Sequence, residues 1–280
     1  MAPMIAGSTR LAGVVGWPID HSLSPRLQNT WIVAAQLDAV YVPFAVPPAR
    51  FAAFITGMRG GCLLGLNITA PHKEHALALA DRATPRALAA GAANLLVFHE
   101  DGTAAADNTD GEGLLEAFKT QAPSFIPSAH PVLILGAGGA ARGAAAALLE
   151  AGAPRVYIAN RDPARGSALV SALGSRVEAL RPFPKAEIVR TFGAVINATP
   201  AGLDAAASLG INLADLPPHA VAMDMVYRPL RTAFLEAAAH RGLGVVDGLE
   251  MLIGQARPSF SALFGREPPA LDIRAAALGA

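Results

Sequence analysis

A chain of 280 residues is long enough for one large domain or two modest ones, each with its own core. With 52% hydrophobic and 16% charged residues it does not read as disordered, and a formal net charge of zero leaves no basic field for nucleic acid or an anionic membrane. One cysteine, Cys62, excludes an internal disulfide and suits a reducing cytoplasm. Its place in the apolar run 62–66 reads as a small buried hydrophobe. The N-terminal segment lacks a basic stretch ahead of an apolar one, so no secretory signal is read. Arg59, Arg142 and Glu150 interrupt the most apolar stretches short of the ~20 residues a membrane helix needs.

Short apolar runs alternate with longer helical patterns, which predicts an α/β fold with mainly parallel sheet. Residues 11–15 are the first strand. Ser24 and Pro25 open a helix to about Leu37, with the serine as a cap and proline in the first turn. Strand 40–45 follows, then a helix from Pro47 and Pro48 that ends at Gly60 and Gly61. Strand 62–68 leads to a helix opened by Pro71. Residues 94–98 form a strand that turns at Asp101 and Gly102, the chemistry of a hairpin. A second pattern begins near Gly111, with a helix over 113–120 and a Pro- and Ser-containing loop over 122–131. Strands are expected at 132–135, 156–159, 194–197, 221–225 and 245–246. A last helix over 249–264 stops at Gly265, ahead of Pro268 and Pro269, and the tail beyond Ala270 reads as loosely held.

The most informative local pattern is the run 132–142: a buried strand, then Gly136-Ala137-Gly138-Gly139-Ala140-Ala141, then a helix. Gly136 permits a tight turn, Gly138 admits a pyrophosphate to the backbone, and Ala141 allows close helix–strand packing. The arrangement predicts a dinucleotide held on free N–H groups at the helix N-terminus. After the next strand stand Asn160, Arg161, Asp162 and Arg165. Arg161 can stack on adenine and pair with a 2′-phosphate, with Arg165 adding charge, so NADP is expected over NAD. Asp162 would repel that phosphate if it pointed inward.

Four polar runs interrupt the apolar N-terminal half. Ser22 and Ser24, two residues apart at a strand-to-helix turn, can both bond one carboxylate; simple helix capping by Ser24 is the plainer reading. Asn67, Thr69 and Lys73 follow an apolar strand, at the end where ligands bind in open α/β sheets. The third run is Gly91 to Asn94. The fourth, Asp107-Asn108-Thr109-Asp110-Gly111, could by itself be a turn.

Taken in order with Asn197 to Pro200 and with Met251 to Gln255, these runs resemble the shikimate dehydrogenase family, from Val14 to about Phe264. The resemblance implies reversible, NADP-dependent reduction of 3-dehydroshikimate to shikimate. It implies Lys73 and Asp110 as the catalytic pair, meeting across a pocket that faces the glycine turn. Ser22 and Ser24 would hold the substrate carboxylate, with Tyr227 near it. Asn67, Thr69, Asn94, Asp110 and Gln255 would bond the substrate hydroxyls. Gly136, Ala137, Gly138, Gly139, Ala140, Asn160, Arg161 and Arg165 would take the cofactor, with Thr199, Met223 and Gly248 less directly. The implied architecture is two α/β domains with a cleft between them: a substrate domain over 1–110, completed by 249–280, and a Rossmann-type NADP domain over 111–248.

Leu95, His72 and Asp162 depart from the family pattern, which commonly has a threonine, an aromatic and a threonine there. A quinate or dual-specificity dehydrogenase of the same family stays open. So does a non-catalytic ligand-binding module, against which the presence of both Lys73 and Asp110 weighs. The expected partner is the small-molecule substrate, with no nucleic acid, no membrane and no metal, in a cytoplasmic monomer or homodimer. The histidines lack ligand spacing; His21, His72 and His75 read as supporting or surface groups.

Overall fold

The computed structural model describes residues 5–180, 184–203 and 209–279. The chain divides into two compact units. One comprises the residues up to Thr109 together with those from Ile253, and the other is Asp110–Leu252.

The first unit runs β1 (Arg10–Gly16), α1 (Ser24–Ala34), β2 (Ala39–Ala45), α2 (Phe51–Met58), β3 (Leu63–Ile68), α3 (Lys73–Leu79), β4 (Arg82–Ala83), α4 (Pro85–Ala90), β5 (Leu95–Phe98) and β6 (Ala104–Asp107). Its sheet has the order β2-β1-β3-β5-β6-β4. The β2, β1 and β3 strands are parallel, and β5 is antiparallel to both β3 and β6. Gly65 is required in β3, because a Cβ there would stand 2.3 Å from the Leu96 carbonyl oxygen.

The second unit begins with α5 (Asp110–Gln121), β7 (Val132–Leu135), α6 (Gly139–Glu150), β8 (Val156–Ala159), α7 (Pro163–Leu173) and β9 (Val177–Leu180). It continues with α8 (Ala186–Val189), β10 (Ala194–Asn197), β11 (Val221–Asp224), α9 (Ala233–His240) and β12 (Gly244–Val246). α10 (Gly248–Phe264) crosses into the residues of the first unit, which α11 (Ile273–Leu278) completes.

The second sheet has the order β12-β11-β10-β7-β8-β9 and is parallel throughout. Counted from β7, that is the doubly wound order 3-2-1-4-5-6, which reverses between β7 and β10. The unbroken apolar run of β7 follows from its place at the centre. Val132 and Ile134 enter the core on one face, Leu133 and Leu135 the core on the other, and all four are buried.

The structure changes several local expectations. Cys62 is exposed, not buried: β3 starts only at Leu63, and Cys62 lies in the turn that Gly60 makes with φ +68°. Ser24 does not cap α1. The N-cap is Leu23, with no side-chain cap bond, and it is the Ser22 hydroxyl that accepts from the Ser24 backbone N–H at 3.3 Å. The helix after Pro71 begins at Lys73, behind His72. The tail is held. The Asp272 carboxylate accepts from the Ala275 N–H to cap α11, Ile273 and Ala277 are buried, and the Arg26 guanidinium donates to the Ala277 carbonyl at 3.0 Å.

No helix of the described residues is long and apolar enough to cross a membrane.

Candidate functional site

In the first unit the expected substrate residues gather at the carboxyl ends of β1 and β3. The turns after those strands are tied by backbone bonds. The Thr69 N–H donates to the Val15 carbonyl at 3.0 Å and the Trp17 N–H to the Ala70 carbonyl at 3.1 Å. Gly16 makes this approach feasible, since a Cβ there would lie 2.4 Å from the Thr69 methyl. The loop that leads from β1 to Ser22 and Ser24 therefore starts beside the segment that carries Asn67, Thr69 and Lys73. Lys73 is half-buried at the start of α3, and its carbonyl accepts from the Ala93 N–H at 2.8 Å, beside Asn94.

His72 supports that turn. Its ring stacks on Phe51 with centroids 4.2 Å apart and planes 3° from parallel. Its Nε2 lies 2.8 Å from the Val46 carbonyl oxygen, which only accepts, so Nε2 carries the proton. Burial holds the imidazole below its ordinary pKa, outweighing that bond. His72 thus fills the place of an aromatic ring as a neutral, stacked one.

Asn67, Asn94 and Gln255 belong to one buried polar network. Asn67 accepts from the Tyr41 hydroxyl at 2.8 Å and donates to the Asn94 carbonyl at 3.2 Å and to Ser259 Oγ at 2.9 Å. The Asn94 side chain accepts from the Thr109 N–H at 2.8 Å and donates to Thr109 Oγ1 at 2.8 Å and to Gln255 Oε1 at 3.2 Å. Thr109 Oγ1 also donates to the Gln255 carbonyl at 3.0 Å. Tyr41, Thr109 and Ser259 are buried to 1% exposure or less, and none was singled out from the sequence.

In the second unit β7 ends in the glycine turn. Gly136 has φ +114°, a conformation that favours glycine, and a Cβ there would stand 3.0 Å from the Ala198 carbonyl oxygen. Gly138 is the N-cap of α6 with no side-chain cap bond, and nothing lies within 4 Å of a Cβ built on it. Ala137 is buried, while Gly139 and Ala140 are half-buried at the start of the helix. Such a turn, at the point where the strand order reverses, fits a dinucleotide pyrophosphate.

Thr199 packs against this turn, and its N–H and hydroxyl both donate to Asn197 Oδ1 at 3.0 and 2.7 Å. Gly248 approaches the β11 loop closely; a Cβ there would lie 2.4 Å from the Met225 carbonyl oxygen. Tyr227 is half-buried. Met223 has no exposed surface and sits in the core with Ile134 and Ile196. Asp110 is buried at the start of α5.

Asn160 donates to the Asp162 carbonyl at 2.8 Å, and the Asp162 carboxylate accepts from the Ala164 N–H at 2.9 Å. Asp162 is the N-cap of α7, a task a threonine also performs. Arg161 and Arg165 are both exposed, and neither has an ion-pair partner among the described residues.

Three family models match the chain: a shikimate dehydrogenase substrate-binding domain over 14–96, a shikimate/quinate 5-dehydrogenase domain over 122–204, and a shikimate 5′-dehydrogenase C-terminal domain over 248–278. The shikimate dehydrogenase (NADP(+)) of Caulobacter vibrioides is 52% identical over 99% of this chain and 98% of its own length. The chain belongs to the shikimate dehydrogenase family. A shikimate 5-dehydrogenase from Thermus thermophilus, solved with NADP(H) and shikimate, superposes with a TM-score of 0.85. It is 36% identical, over 96% of this chain and 99% of that one. A quinate dehydrogenase from Corynebacterium glutamicum, solved with NAD, has a TM-score of 0.87 at 26% identity, over 97% of this chain and 99% of that one.

Within this shikimate dehydrogenase fold, the residues that sequence reading passed over are those holding the amides in place. Tyr41 looks like any aromatic strand residue. Thr109 is hidden between the more conspicuous Asn108 and Asp110. Only Ser259 carried a signal, being four residues after Gln255 and so on the same helix face.

Proposed function

We propose that the chain catalyses the reversible, NADPH-dependent reduction of 3-dehydroshikimate to shikimate, as a cytoplasmic enzyme. The observation that carries this reading is the buried network of Asn67, Asn94 and Gln255 at the carboxyl end of β3, in the same unit as Ser22, Ser24 and Lys73. A small molecule with several hydroxyls and a carboxylate fits such a polar set. Analogues lacking those groups leave it unpaired, a stronger rejection than an apolar pocket gives.

When bound, NADPH would supply a hydride to the C3 carbonyl carbon. The carbonyl oxygen gains negative charge as this happens. Lys73 Nζ is the group we assign to give that oxygen its proton, which completes the alcohol. Asp110 orients the ammonium and accepts from a neighbouring hydroxyl. Ser22 and Ser24 hold the carboxylate, with Tyr227, and Thr69, Asn94 and Gln255 bond the ring hydroxyls with Asn67. Gly136 to Ala140 would hold the pyrophosphate, Asn160, Arg161 and Arg165 the adenosine end, and Thr199 and Gly248 the loops nearer the nicotinamide.

Two variants test the binding roles. Replacing both Ser22 and Ser24 by alanine is expected to raise KM for shikimate at least tenfold, since two hydroxyl bonds to a charged group are worth about 1.5–3 kcal/mol each. An unchanged KM places the carboxylate elsewhere. Arg161→Ala is expected to raise KM for NADP about tenfold or more and leave KM for NAD nearly unchanged, because only NADP carries the 2′-phosphate. Equal effects on both cofactors reject that role.

The decisive assay follows NADPH and NADH oxidation with 3-dehydroshikimate, and the reverse reaction with shikimate and with quinate. Preference for NADPH and shikimate is the expected result. Faster turnover of quinate with NAD favours the quinate reading. No turnover by folded protein that binds both ligands favours a non-catalytic module.

A further inference from the structure

The directions of the bonds around Asn67 decide more than its position. The Asn94 carbonyl can only accept, so the Asn67 NH2 group must face it. The second Asn67 proton goes to Ser259 Oγ. Ser259 is able to accept it because its own proton goes to the Gln255 carbonyl at 3.0 Å. Tyr41 Oη, 2.8 Å from Asn67 Oδ1, meets a group that only accepts and so donates to it. Burial without a compensating charge pushes the Tyr41 phenol well above its ordinary pKa, so that proton stays in place. Both Asn67 protons and one Oδ1 lone pair are thereby committed inside the protein. What remains is the second lone pair on Oδ1, on a side chain whose residue is 6% exposed.

We infer that Tyr41 and Ser259 are positioning residues that lock the Asn67 amide as a pure acceptor, so that Asn67 accepts a hydrogen bond from a substrate hydroxyl and never donates to the substrate. The inference deepens the proposed function and rests on Asn67 contacting the substrate. It makes this position a reader of hydroxyl against ketone or hydrogen. A hydroxyl donates a hydrogen bond to Oδ1, whereas a ketone there would set two acceptors against each other. Without Tyr41 the amide loses the donor that fixes its oxygen, and without Ser259 it has an N–H to offer.

The test measures KM for shikimate, for an analogue lacking one ring hydroxyl, and for NADP, in Tyr41→Phe, Ser259→Ala, Asn67→Ala and the double variants with Asn67→Ala. Tyr41→Phe is expected to raise KM for shikimate about three- to tenfold, the range for losing one neutral buried hydrogen bond. KM for NADP stays unchanged and the preference for shikimate over the deoxy analogue narrows. In the Asn67→Ala background neither Tyr41→Phe nor Ser259→Ala adds a further rise, because both act through that amide. Ser259→Ala gives the same pattern and stands in for Tyr41→Phe should that variant not fold. Equal rises with and without Asn67 overturn the inference, as does an unchanged KM in both positioning variants while Asn67→Ala raises it. An unchanged KM in Asn67→Ala itself also overturns it, and does so by refuting the substrate contact on which it rests.

Discussion

Lys73→Ala is expected to lower kcat by about 10²–10⁴-fold, the range for removing a general acid or base, with a much smaller change in KM for shikimate. Residue 73 is half-buried in the first turn of α3, where the helix dipole disfavours a cation, and the bond that ties the turn to Ala93 uses the backbone carbonyl. Removing the side chain takes the proton donor from the hydride step, and a variant that still melts as a folded protein shows that loss to be chemical. Lys73→Met, which keeps the apolar stem, should be as slow as Lys73→Ala. Steady-state kinetics alongside a thermal melt separate the two effects. Wild-type turnover in either variant would remove Lys73 from the chemistry.

Where burial pattern and glycine chemistry act locally, the sequence was readable. β7 is four apolar residues ahead of a glycine turn, and a central parallel strand covered on both faces allows little else. The β5–β6 hairpin was legible for the same reason, since Asp101 and Gly102 suit only a tight turn, and Asp101 accepts from the Thr103 N–H at 2.9 Å. Errors arose where a tertiary contact outweighed a local signal. The helix expected from Gly113 begins at Asp110, because Gly111 is there for packing: a Cβ on it would stand 2.4 Å from the Ala147 side chain. The tail has a capping aspartate and apolar residues four apart at Ile273 and Ala277, but only its contact with α1 makes that spacing count.

The site divides in the same way. Glycines and polar runs marked its edges, since such residues are out of place beside apolar strands. The network beneath them was hidden, because it depends on strand order. Tyr41 on β2 reaches Asn67 on β3 past the intervening β1, and the two are 26 residues apart in sequence. The doubt raised by Asp162 had a local answer, helix capping, that the pattern Asp162-Pro163 already contained.

The largest stability effect in the second unit is expected at Asp224. It is fully buried at the end of β11, in register with Asn197 on β10. Its carboxylate accepts from Asn197 Nδ2 at 2.9 Å, from the Val226 N–H at 3.0 Å and from the Thr232 hydroxyl at 2.8 Å. It thereby joins the loop that carries Tyr227 to the Asn197 amide that holds Thr199. Asp224→Ala strands three donors, two of them buried, and should cost about 3–5 kcal/mol, read as a fall in the urea midpoint. Asp224→Asn retains the shape and one acceptor and should cost about 1–3 kcal/mol.

The pH dependence gives an independent check. Burial raises the Asp224 pKa above the ordinary aspartate value, outweighing the three donors. A carboxyl group that binds its proton more readily folded than unfolded makes stability fall as pH rises from the unfolded value to the folded one. That decline, present in the wild type, should be absent from Asp224→Ala, and so appear in the difference between the two, if Asp224 is its source. An alanine variant as stable as the wild type, with the same pH slope, would mean that the three donors find other partners and that Asp224 does not hold the loops together.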